Sequence, residues 1–142
     1  MSSVTSMLRQ VQAADSLPAL LAGARQAFEA MLAEIQAWQD PDSALFTVYV
    51  MAAGYAADGL DAITAAPSLP PPAPAPPPAL PADAPPLTAA AAARSIVSLS
   101  RELAARLDPA GTAAPVPGDR DACAEAAGSA RIVADLLGGA LT

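Results

Sequence analysis

Residues 17–38 read LPALLAGARQAFEAMLAEIQAW. Within them Leu17, Leu21, Ala24, Phe28, Met31, Ile35 and Trp38 recur in alternating steps of four and three. Steps of that size return to one side of a helix turning once every 3.6 residues, so the seven side chains form a heptad seam. Leu20 and Leu32 widen it, while Arg25, Gln26, Glu29 and Gln36 take the other faces. A helix built this way buries its seam against neighbouring helices at shallow angles. The stretch therefore predicts an all-α protein, and specifically a helical bundle.

Working outward, Val4, Met7, Leu8 and Val11 carry the i, i+3, i+4, i+7 spacing of a short amphipathic segment. It is expected to fray or to dock, because Pro18 prevents it from continuing. Ser16 is placed to cap the helix that follows. On the other side, Asp40-Pro41 has the form of a helix start, an acceptor at the cap and a proline at the first helical position. The helix it predicts carries Leu45, Val48, Tyr49, Ala52, Ala56, Leu60 and Ile63 along one stripe, and Phe46, Val50, Met51 and Tyr55 over much of the rest. A helix apolar nearly all round is central to a bundle or covered by a second chain. Gly54 and Gly59 are expected to let a neighbouring backbone approach, and Asp58 and Asp61 to mark the solvent edge.

From residue 67 to 86, 11 of 20 residues are Pro and most others are Ala. Helix is excluded there, and an extended polyproline II spacer is expected. At about 3.1 Å per residue such a spacer spans the length of a bundle, so it leaves open the direction in which the next helices run. Removing residues 68–84 is expected to leave the helical content nearly intact. Its P-x-x-P spacings lack the flanking basic residue that ligands of aromatic grooves carry, so it reads as a spacer. Beyond it, Thr88 caps a helix pinned by Ile96, Leu99, Leu103 and Leu107 and stopped by Asp108, Pro109 and Gly111. Asp119 then caps a last helix with Ala122, Ala126, Ala130, Val133 and Leu137 inward, ended by Gly138 and Gly139. The expected organisation is a short N-terminal segment and first helical pair over 1–66, a linker over 67–87 and a second pair over 88–142. Together these make a four-helix bundle with the long linker between its second and third main helices.

Composition bounds the function. The net charge of −7 disfavours nucleic acid and anionic membrane surfaces. With neither His nor Lys, the chain has no imidazole base, histidine ligand or Schiff-base amine, so an enzyme is not expected, and neither is a cofactor. The single Cys123 rules out an internal disulfide and fits a reducing compartment. No secretory signal opens the chain, and its longest uncharged apolar run, about 14 residues over 44–57, is too short for a span of roughly 20. A soluble, cytoplasmic protein is expected. More than a quarter of the residues are Ala and only 4% are aromatic, so the core is thin and association is favoured.

Each candidate site has a plainer reading beside it. Asp58 and Asp61 at i, i+3 have the spacing of a shared cation or proton site, but they also make an ordinary solvated edge. Cys123 is placed in the first turn of the last helix, where a thiolate is favoured, or else is a small core residue. Trp38 is either a binding anchor or a cap over the bundle's end. Neither a Trp-x-Gly turn nor a Tyr-x-x-x-acid signal occurs, since Gln39-Asp40 follow Trp38 and Asp58 lies three residues after Tyr55. The sequence thus predicts a non-catalytic helical interaction protein: an accessory, adaptor or assembly factor joined to itself or to a larger protein. Its interaction candidates are Phe28, Met31, Trp38, Phe46, Tyr49, Met51 and Tyr55. The alternative is a bundle holding a small apolar ligand among Tyr49, Met51, Tyr55 and Trp38.

Overall fold

The computed structural model of the chain describes residues 3–71 and 88–141. They form α1 (Ser3–Ala13), α2 (Leu17–Ala37), α3 (Phe46–Thr64), α4 (Ala89–Ala113) and α5 (Pro117–Ala140), with no strand among the described residues. The all-α expectation holds, with five helices among the described residues. The first is the short N-terminal segment, expected to fray or to dock. It packs against both α2 and α4, burying Val11 completely and laying Met7 and Leu8 on the core. The guanidinium of Arg106 on α4 donates to the carbonyl of Ala14, tying down the end of α1.

The helices stand side by side in the order α2, α3, α5, α4, and α1 covers the seam where α4 and α2 touch only lightly. The most extensive pairing, α4 with α5, follows from residue size. The inner face of α5 is Ala122, Cys123, Ala126, Ala127, Ala130, Val133, Ala134 and Leu137, all buried, and small side chains let helix axes come close. The α2 seam is buried from Leu21 to Ile35, and Ile96, Leu99, Leu103 and Leu107 of α4 are wholly inside, as their spacing predicts.

Two contacts set the directions. The hydroxyl of Tyr49, near the start of α3, donates to the carbonyl of Ala89 at the start of α4 (2.8 Å). Ser68, just past α3, donates through its N–H and its hydroxyl to the carboxylate of Asp119 at the start of α5. Helices α3 and α4 therefore run the same way, and α5 runs against both. The end of α3 and the beginning of α4 lie at opposite ends of the assembly. The expected proline-rich spacer falls mainly on residues 72–87, outside those described.

Caps and stops follow the sequence in part. Ser16 accepts from the Ala19 N–H and Thr88 from the Ala91 N–H, as expected of N-caps. Asp40, however, does not begin a helix. Its carboxylate accepts from the Asp42 N–H and the Ser43 hydroxyl accepts from the Leu45 N–H, so residues 40–45 form turns and α3 starts at Phe46. Asp119 is no cap either. Helix α5 begins at Pro117, and the Asp119 side chain turns away to Ser68. Nor do Asp108, Pro109 and Gly111 stop α4, which carries Pro109 inside it and runs on to Ala113. Pro109 and its neighbours Ala105, Asp108 and Thr112 are exposed, so water can serve the carbonyl that proline leaves unbonded. Gly111 is needed for packing, because a Cβ there would stand 2.8 Å from the Cβ of Cys123. Helix α5 likewise continues through Gly138 and Gly139 to Ala140.

Candidate interaction surface

The seven aromatic and methionine candidates divide between the interior and the surface. Phe28, Met31 and Tyr49 are fully buried. The ring of Phe28 lies over Gly59 of α3, where a Cβ would come within 2.3 Å of it. Gly59 thus admits a ring, not a backbone, and Gly54 faces open space with nothing within 4 Å of an added Cβ. The Ser100 hydroxyl donates to the sulfur of Met31 across the α2–α4 seam (3.2 Å). Trp38 is the C-cap of α2, half-buried on the core, and its indole N–H donates to the Glu34 carboxylate (3.0 Å). Phe46 and Tyr55 are half-buried, whereas Met51 is 47% exposed beside Val50 at 45%.

The structure therefore does not bring Tyr49, Met51, Tyr55 and Trp38 together around one space. Residues 49 and 51 of a helix point about 200° apart, so the burial of Tyr49 sends Met51 outward. Two clefts among the described residues lie elsewhere. One, about 340 Å³, runs between α4 and α5 past Arg101, Ala104, Asp108, Arg131 and Asp135, and Arg131 and Asp108 form an ion pair across it. The other, about 390 Å³, opens between the α1–α2 turn and the end of α4, beside Leu17, Leu20, Arg106 and Pro115.

Phe46 and Met51 lie instead on an outward stripe of α3. That helix packs on α2 and α5, turning Tyr49, Ala52, Ala56, Gly59, Ala62 and Ile63 inward. Phe46, Val50, Gly54 and Asp58 follow one another in steps of four, with Met51 and Asp61 beside them. Val50, Met51, Gly54, Asp58 and Asp61 are all exposed. Val50 is as exposed on this stripe as Met51. Its signal in the sequence was its place eleven residues, about three helical turns, before Asp61, on the face that the acid marks as the solvent edge.

The polar candidates hold little chemistry. Asp58 and Asp61 are exposed, and among the described residues no three His, Cys, Asp or Glu side chains are grouped to hold a metal. Cys123 lies beyond the first turn of α5 and is fully buried. Burial, with the Asp119 carboxylate adding to it, pushes its thiol above the ordinary 9.0, the reverse of thiolate activation. Burial first, and then the charge of Glu34, pushes the Tyr49 phenol above 10.0.

Both shifts favour the protonated form in the folded chain. The stability they contribute is present below 9.0 for Cys123 and 10.0 for Tyr49, and is lost as pH rises through the higher folded values. With no lysine in the chain, the range from about pH 9 to 11 reports chiefly on thiol and phenol. The urea midpoint is expected to stay level up to about pH 8.5 and to fall above it, with Cys123→Ala moving the onset upward. A midpoint that rises or stays flat to about pH 11 would contradict this assignment.

No described helix is long and apolar enough to cross a membrane. The chain matches no protein-family model, no curated protein and no solved structure.

Proposed function

We propose that the chain is a non-catalytic helical interaction protein that docks a partner on the outward face of α3. The observation that carries this reading is the exposure of Val50 and Met51 side by side, flanked by half-buried Phe46 and Tyr55, on a helix whose opposite face is core. Large apolar side chains grouped on one surface mark contact sites more often than singly scattered ones do. The buried, neutral Cys123 and Tyr49 fit a chain that works by contact and not by nucleophilic attack.

The test is a photo-crosslinking amino acid placed at Met51, with Ile132 on α5, 38% exposed, as the control position. Covalent adducts in the producing cells are expected from position 51 and not from 132. Val50→Ser with Met51→Ser is expected to change stability by no more than about 0.5 kcal/mol, because both are surface positions. The same pair should abolish adducts from a crosslinker moved to Phe46. Equal labelling from 51 and 132, or none from either, would sink the reading.

A further inference from the structure

Resting on that reading, we propose that the occupant of the α3 face is an amphipathic helical segment of another protein. Its apolar side chains lie about one heptad from Lys or Arg. The stripe has two chemically different halves. Phe46, Val50 and Met51 make its N-terminal half apolar, and Asp58 and Asp61 make its C-terminal half acidic. Asp58 lies seven residues after Met51, or about 10 Å along the axis, which sets the spacing of the complementary groups. Neither acid joins an ion pair among the described residues, and no basic residue occurs between Arg25 and Arg94. The negative charge of this half therefore has no cation of its own helix to meet. Gly54, with open space above it, sits between the halves and lets a partner's backbone come down onto α3.

A second copy of the chain does not fit this pattern. An antiparallel pairing centred on Gly54 sets Val50 against Asp58 of the other copy. Moving the centre to Met51 joins the apolar halves, but then the acids face residues 41–44, which carry no positive charge. A parallel pairing sets Asp58 against Asp58. Each copy also brings a net charge of −7. Mutual repulsion works against self-association and draws a cationic partner.

The test is selection from a random library of displayed peptides of about 16 residues, roughly four helical turns, on the intact chain. Enriched peptides are expected to repeat apolar residues at helical spacing with Lys or Arg about seven positions away on one side. Met51→Ser and Gly54→Leu should each weaken their binding about tenfold or more, the size of a central contact in an interface. Gly54→Leu fills open space, so it blocks the face without disturbing the core. Asp58→Asn with Asp61→Asn should erase the preference for basic residues and flatten the salt dependence. Peptides lost with Met51→Ser but lacking the basic group would overturn this occupant and leave the docking face standing. Light scattering that finds a dimer broken by Met51→Glu would overturn it in favour of a second copy. No enrichment, or peptides indifferent to Met51→Ser and Gly54→Leu, would overturn the occupant and the face together.

Discussion

Removing residues 68–87 is expected to destroy the monomeric fold, whether or not the circular dichroism spectrum stays helical. The contacts Tyr49–Ala89 and Ser68–Asp119 place the start of α4 and the end of α3 at opposite ends of the molecule. Helix α3 has 19 residues, a length of about 28 Å. The deletion leaves only residues 65–67 and 88 between the two helices, a reach of about 17 Å even when fully stretched. It also removes Ser68, the partner of the buried Asp119 carboxylate. The chain then keeps its contacts only by lending its α4–α5 pair to a second copy, as over-short hinges in swapped dimers do. A doubled mass by light scattering is expected, or else a loss of helix. Taking about four residues from within 72–87 leaves ample length and should change neither mass nor melting. A monomer of unaltered thermal stability after the full deletion would show that the directions of α3 and α4 are wrong. Unchanged helical content, the result expected from the proline-rich composition, is not enough by itself, since a swapped dimer is equally helical.

Alanine at Gly59 and alanine at Gly54 are expected to act in opposite directions, although both glycines lie within α3. In an open position the exchange gains roughly 1 kcal/mol of helix propensity, and Gly54 is such a position. At Gly59 the new methyl would lie 2.3 Å from the ring of Phe28, a fully buried side chain of α2. Overpacking of that kind costs about 1–3 kcal/mol and outweighs the propensity gain when the neighbour cannot move. Thermal melting should therefore rise for Gly54→Ala and fall for Gly59→Ala, by about 4 °C for each kcal/mol. Phe28→Ala alone should cost about 3–5 kcal/mol. Combined with Gly59→Leu, part of that loss should return, with a coupling on the order of 1 kcal/mol or more between the two sites. If both glycine variants shift melting the same way, or if the double variant is additive, the ring does not sit where the structure puts it.

Those two glycines also show where reading from sequence ends. The heptad of α2, the Ile96–Leu107 spacing of α4 and the alanine stripe of α5 were legible because a helical period needs only the order of residues. Ser16 and Thr88 were legible for the same local reason, a hydroxyl three residues before an N–H it can reach. Asp40 and Asp119 carry the same chemistry and do something else, because turn geometry in one case and the distant Ser68 in the other offered the carboxylate a different donor. Pro109 by its residue type predicts a stop. The helix passes through it because the lost hydrogen bond faces water while Leu107 and Gly111 hold the inner face against the core. Of the interaction candidates, Met51 is exposed on α3 and Phe46 half-buried near it, whereas Phe28, Met31 and Tyr49 are core, because residue type and spacing do not say which large apolar side chains the neighbouring helices cover.

The all-helical class, the helical seams and the acidic surface were thus determined by the sequence alone, since each depends on periodicity or on a sum of charges. Tertiary structure alone decided that α1 packs as a member of the assembly, that α3 and α4 run in parallel, and which of the large apolar side chains of α3 face water. Asp58 and Asp61 mark the solvent edge of α3 in the sequence, but over its first turns Phe46, Val48, Tyr49, Val50 and Met51 are all apolar enough to be buried, and only the placement of α2 and α5 decides which of them stay outside.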